Sequence, residues 1–174
     1  SQLSLPMLSR FEEETGQPID LRYPGYLLLA TTEENVAEFQ RNIALQHSLG
    51  VPTEWLEADE VRRRIPQVRT DDVLAATYHK GDGLADPNGV VAGYISAGRR
   101  LGVRAFNDAP VTGIEVTSGR VTAVNTPLGR IACQMVVNAA GPWAGLVGEL
   151  AGVPIPITPV RRQIVTTSPL PELD

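Results

Sequence analysis

The apolar residues of this chain change their spacing several times from one end to the other, and that change constrains the fold more than any single motif. Gly25 to Ala30 is a short apolar run of the length of a buried strand. From Thr31 the spacing becomes helical: Val36, Phe39, Ile43 and Leu49 recur before Gly50, where a positive φ closes a helix readily. Thr31 with Glu34 three residues later predicts a capping box at the start. Glu57 to Ile65 predicts a shorter helix, stopped by Pro66, which lacks the N–H needed to continue it. Val73 to Tyr78 reads as another strand.

The second half alternates more regularly. Asp86-Pro87 pairs a capping acceptor with proline at the first helical position, predicting a helix from Pro87 to Leu101 that ends at Gly102. Val103 to Phe106 reads as a short strand, and Pro110 to Val116 with Arg120 to Asn125 as a hairpin turning at Ser118-Gly119. Ile131 to Ala139 predicts a strand, Trp143 to Ala151 a helix after the Gly141-Pro142 turn, and Ile157 to Thr167 a closing strand. The fold class this predicts is α/β of a mixed α+β kind, with an antiparallel hairpin insertion.

Composition excludes several functions. Among 174 residues, 15 Lys and Arg face 20 Asp and Glu, a net charge of −5, and the longest basic run is Arg62-Arg63-Arg64. Nucleic acid is therefore not an expected partner, since phosphate binding needs a basic face. An apolar fraction of 43% and a charged fraction of 20% are those of a folded chain. The longest apolar runs, Tyr26 to Ala30 and Met135 to Ala140, fall far short of the roughly 20 residues of a membrane span. Cys133 is the one cysteine, so no disulfide staples the fold, and a reducing, cytoplasmic setting is expected. The amino end lacks an initiator Met, shows no signal-peptide pattern, and already carries core-like Leu3, Leu5, Leu8 and Phe11. A middle stretch of a larger protein is the expectation.

Few residues stand at spacings that carry chemistry. His47 and His79 lie far apart with no Cys or carboxylate at metal-ligand spacing, so no metal is expected, and Cys133 has no neighbour in sequence to activate it. Gly81-Asp82-Gly83 begins like a dinucleotide fingerprint, but its third glycine would fall on Asp86, whose carboxylate repels a pyrophosphate; it reads as a turn that frees Asp86 to cap a helix. The three arginines read as a solvated helix face. Asn138-Ala139-Ala140-Gly141-Pro142-Trp143 is different: a strand runs through small residues into a helix, where exposed N–H groups meet an approaching anion. The same residues also suit a tight turn whose glycines Gly141, Gly145 and Gly148 let a helix pack on a sheet, and the residues alone leave both readings open.

Gly83 to Pro87, Arg99 to Val103, Pro110 to Ile114, Thr126 to Ile131 and Val136 to Ala144, in that order, resemble the FAD-dependent amine oxidoreductases of the D-amino-acid oxidase superfamily. The likeness is to the branch of the sarcosine oxidase β-subunit, glycine oxidase and proline dehydrogenase; Tyr26 to Leu29 and Pro159 to Gln163 share it. The resemblance implies a flavin-binding α/β domain interleaved with a mixed-sheet substrate domain. Residues 1–80 would be substrate-domain, 81–153 FAD-binding, and 154–174 a return to the substrate domain.

Carried over residue by residue, the resemblance implies that Val111 contacts adenine through its backbone and that Ala139, Ala140, Gly141 and Trp143 lie along the ADP moiety. Arg162 and Gln163 would sit on a substrate-domain strand. The implied reaction is oxidation of a small amino acid or secondary amine by hydride transfer to FAD. Alternatives are an FAD-dependent dehydrogenase of an alcohol such as glycerol phosphate, or a non-catalytic interaction domain. The family's glycine fingerprint and its flavin-ring and substrate-carboxylate contacts match nothing between Ser1 and Asp174, so no catalytic residue is assigned. For the same reason this stretch alone is expected not to retain FAD. Without its neighbouring elements, faces such as that of Ile157 to Val165 are left uncovered, so self-association or a partner subunit is expected.

Overall fold

The computed structural model describes residues 2–166 and 168. The chain forms two units, one ending at Arg104 and the other beginning at Ala105.

The first unit opens with two short helices, α1 (Ser4–Ser9) and α2 (Phe11–Thr15). Three strands follow, β1 (Tyr26–Ala30), β2 (Glu54–Glu57) and β3 (Ala75–His79), separated by α3 (Glu33–Ser48) and α4 (Ala58–Arg64); α5 (Pro87–Arg100) closes the unit. The sheet order is β1-β3-β2 and both pairings are antiparallel, with Leu29 and Leu56 each opposite Ala76. Alternation puts Leu27, Leu29, Ala76 and Leu56 on one face, where Val61 of α4 completes the core. Leu56 and Val61 are buried, each stabilising the unit by roughly 1.5–3 kcal/mol.

Several local expectations hold and several move. Asp86 caps α5, accepting from the N–H groups of Asn88 and Gly89 at 3.0 Å each. The cap of α3 is Thr32 rather than Thr31: its Oγ1 accepts from the Asn35 N–H at 3.1 Å, so the helix starts one residue later than Thr31 and Glu34 implied. Pro66 does end α4 at Arg64. Phe11 is buried, but Leu3, at the N-cap of α1, is exposed. Strand β2 was not expected, since its four residues Glu54-Trp55-Leu56-Glu57 bury only Leu56 fully. Val103 to Phe106 forms no strand; the Val103 N–H turns back to the Gly98 carbonyl at 2.9 Å and completes the helix end instead.

The arginines of α4 are ion-paired. Arg62 faces Asp59, Arg63 faces Glu60, and Arg64 bonds Glu60 and Glu54 at 2.9 Å each while its guanidinium lies 5.8 Å from the centre of the Tyr78 ring. Hydrogen bonds from Arg63, then Arg64, hold the Glu60 carboxyl below its ordinary range. This is the solvated helix face expected from the run.

The second unit carries a three-stranded antiparallel meander, β4 (Gly113–Thr117), β5 (Arg120–Thr126) and β6 (Gly129–Ala132). Ser118 (φ 51°) and Gly119 (φ 75°) make the turn between the first two, the left-handed pair that suits a two-residue hairpin. The Arg130 Nη2 and Nε reach the Glu115 carboxylate at 2.8–3.1 Å, and the Asn125 amide adds a bond at 3.2 Å. β6 ends at Ala132, well before the Ala139 that the apolar run predicted; the Cys133 N–H makes the last bond to β5, on the Thr122 carbonyl at 3.2 Å, and the chain then leaves the sheet. A single 3-10 turn (Gly141–Trp143) leads into α6 (Ala144–Glu149). The closing strand is absent from residues 157–166, which join no ladder among the described residues; Thr167 lies outside them. Arg162 and Gln163 are therefore on no strand, and both are exposed. The fold is a mixture of helices and antiparallel sheets.

Candidate functional site

Gly81-Asp82-Gly83 is a turn, as its sequence implied. The Asp82 carbonyl accepts the Gly25 N–H at 3.1 Å, and Arg22 and Leu84 exchange two backbone bonds of 2.9 Å. The Arg22 carbonyl lies 2.4 Å from where a Cβ on Gly83 would stand, so backbone packing, not a phosphate, explains that glycine. His79 Nδ1 pairs with Asp82 at 3.1 Å, and His47 Nε2 bonds the Thr53 carbonyl at 2.8 Å. Both histidines thus serve the local fold.

The remaining sequence-derived positions all belong to the second unit. Val111 lies in the loop two residues before β4, not within a strand; the Thr112 N–H bonds the Asn125 carbonyl at 2.9 Å and continues the ladder one step. Neither peptide group of Val111 is taken up by a hydrogen bond among the described residues, and the residue is exposed. A donor and an acceptor of this one residue are thus free among the described residues, the kind of pair an adenine edge requires.

The second cluster is the turn into α6. Gly141 takes φ +54°, a left-handed conformation, and a Cβ built on it meets nothing within 4 Å. The Ala140 N–H is drawn back onto Asn138 Oδ1 at 3.2 Å, while the N–H groups of Ala139 and Gly141 find no acceptor among the described residues. Trp143 donates its N–H to the Ala140 carbonyl at 3.1 Å and exposes its indole. Because α6 has only six residues behind one 3-10 turn, its dipole is weak, and the donors of the turn matter more than the helix end. Packing also uses this helix: a Cβ on Gly148 would lie 2.5 Å from the Val153 carbonyl. The two readings left open by the sequence thus separate, Gly148 serving packing and Gly141 facing open space.

A flat, polar-edged group held through backbone atoms fits these residues: small side chains at 139–141, free donors, and no side chain of Gly141 in the way. Asn138, which bridges Ala140 and Ala144, opens the motif read from the sequence but was given no role of its own there. The signal was there: asparagine accepting the N–H two residues on is a common way to begin a turn.

Comparison with known proteins gives the family of the chain, not the roles of these residues. The family model described as FAD dependent oxidoreductase matches residues 1–174, and the chain belongs to that family. It is 35% identical over 170 residues to the mitochondrial dimethylglycine dehydrogenase of Rattus norvegicus, covering 98% of this chain and 20% of that protein. Glycine oxidase of Geobacillus kaustophilus (strain HTA426) is 29% identical over 176 residues, 99% of this chain and 46% of that one. Among solved structures, L-proline dehydrogenase from P. horikoshii superposes with a TM-score of 0.71 at 30% identity, over 87% of this chain and 40% of its own. The chain thus spans between a fifth and about half of the length of these relatives. Among the described residues no helix is long and apolar enough to cross a membrane.

Proposed function

We propose that the protein carrying this chain oxidises a small amino acid or secondary amine, of the sarcosine, glycine or proline type, with FAD as cofactor. The observation that carries this reading is the Ala139-Ala140-Gly141 turn, with its left-handed glycine and free N–H groups, in a chain of this family. FAD, when bound, supplies the hydride acceptor. This chain's residues hold the ADP end: the backbone of Val111 meets adenine, Ala139, Ala140 and Gly141 admit the diphosphate side closely and offer N–H donors, and the exposed Trp143 borders it. Residues 81–153 are the FAD-binding portion, and 1–80 and 154–174 the substrate-domain portions.

The same reading places the protein in the cytoplasm, although the dimethylglycine dehydrogenase it resembles is mitochondrial. It also includes self-association or a partner subunit, because Met135, Val137, Ile164 and Val165 are all strongly exposed apolar side chains. The test uses the full polypeptide that carries the chain. Gly141→Val puts a branched side chain into the open space and onto a left-handed backbone, and flavin per chain should fall; Val111→Ile should keep it, since only backbone groups are used there. Melting of the apo form is measured beside flavin content. Full occupancy and unchanged melting in Gly141→Val sink the cofactor placement, and turnover of glycerol phosphate with none of sarcosine, glycine or proline sinks the substrate class.

A further inference from the structure

We infer that Asn138 is a positioning residue for the cofactor-facing turn, an assignment that rests on the reading that Ala139-Ala140-Gly141 approaches FAD. Its side-chain amide is used at both ends. Oδ1 accepts the Ala140 N–H at 3.2 Å, and Nδ2 donates to the Ala144 carbonyl at 2.9 Å. One side chain therefore ties the middle of the turn to the first residue of α6.

The two ends of this tie differ in how firmly they are held. Ala144 is buried, and its helix packs closely enough on the following chain that a Cβ on Gly148 would stand 2.5 Å from the Val153 carbonyl and 2.8 Å from the Ile155 side chain. The turn has no such packing: Gly141 borders open space, and among the described residues, apart from Asn138, only the Trp143 N–H to Ala140 carbonyl bond, 3.1 Å, and the Ala144 N–H to Gly141 carbonyl bond close it. Asn138 thus transfers the rigidity of α6 to residues 139–141. It also takes up the Ala140 N–H and leaves those of Ala139 and Gly141 without an acceptor among the described residues, two backbone donors that a ligand at the turn can use. A turn ordered before binding spends less binding free energy on becoming ordered, so loss of the tie falls on affinity more than on the fold.

The experiment compares Asn138→Ala, Asn138→Ser and Gly141→Val in the full polypeptide, reading FAD affinity by flavin fluorescence, hydrogen exchange of residues 138–144 in the apo form, and apo melting. Asn138→Ala should bind FAD about tenfold more weakly, the factor expected from losing one or two modest hydrogen bonds, and exchange faster over 138–144. Asn138→Ser keeps an oxygen for the Ala140 N–H but cannot reach Ala144, and should fall between Ala and wild type on both readouts. If Gly141→Val loses FAD while both Asn138 variants keep it within about twofold, the cofactor reading stands and the role of Asn138 is overturned. Should all three variants keep FAD, the cofactor reading itself fails and the inference with it. If Asn138→Ala does not fold, Asn138→Ser decides: wild-type affinity or wild-type exchange in that variant overturns the inference.

Discussion

Gly93 offers a test in which two large effects oppose each other at one atom. It lies within α5 against the buried ring of Phe11, which packs edge-on to Tyr94 with centroids 4.9 Å apart and planes at 87°. A Cβ on Gly93 would stand 2.4 Å from Phe11 Cε1, 2.7 Å from Cζ and 3.0 Å from the Gln17 Cβ. Carbon atoms settle near 3.5–4.0 Å, so the ring would have to retreat by about 1 Å from its site. Replacing glycine by alanine inside a helix gains about 1 kcal/mol. Overpacking costs about 1–3 kcal/mol, and disturbing an aromatic pair about 0.5–1.5 more. Gly93→Ala should therefore destabilise the chain by about 0.5–3.5 kcal/mol net. Gly98 is the control on the same helix: its Cβ would lie 3.4–3.7 Å from Val103, ordinary contact, so Gly98→Ala should be neutral or stabilise by up to about 1 kcal/mol. Urea unfolding of both variants and the parent gives the midpoints and slopes. A Gly93→Ala midpoint at or above the parent's, with an unchanged slope, refutes the close-contact argument.

The hairpin and the caps give further tests. The Arg130 guanidinium, then the Asn125 amide, hold the Glu115 carboxyl below its ordinary value of 4.5. The stability this contributes is present above that value and is lost as pH falls below it through the lowered one, so Glu115→Gln should flatten the acid side of melting temperature against pH below about 4.5. An acid limb identical to the parent's refutes it. Asp86 accepts two helix N–H groups and Thr32 one, so Asp86→Ala should cost about 1–2 kcal/mol and Thr32→Ala about 0.5–1 in urea unfolding; the reverse order refutes the cap assignment.

Local signals carried most of the elements that the sequence predicted well. Asp86-Pro87, Pro66 and Ser118-Gly119 each act through their own backbone or side chain, and each sits where expected: at the start of α5, past the end of α4, and in the turn of the hairpin. What failed depended on distant partners. Met135 to Ala139 and Ile157 to Val165 have strand-like composition, but a strand exists only where another strand accepts its N–H groups, and apolarity alone does not say which is present. Glu54 to Glu57 failed in the opposite sense: two charged ends hide a strand that β3 pairs with and only Leu56 buries. At the candidate site the turn was legible because small residues and glycine are a local feature. The brace across it was not, because Asn138 works through Ala144, on the far side of the turn.

The order β1-β3-β2 also governs when the first sheet can assemble. β1 and β2 precede β3 in the chain, yet among the described residues each pairs only with β3: Tyr26 meets His79, and Glu54 meets Tyr78. As the chain leaves the ribosome, neither early strand has a ladder to join until Ala75 to His79 has emerged, so the two must wait as unpaired edges with Leu27, Leu29 and Leu56 uncovered. Arrival of the last strand then closes both ladders at once. A nascent chain halted before Ala75 would therefore hold its α3 segment but no sheet, and that interval is when this part of the molecule is most open to chaperones, proteases and misassociation.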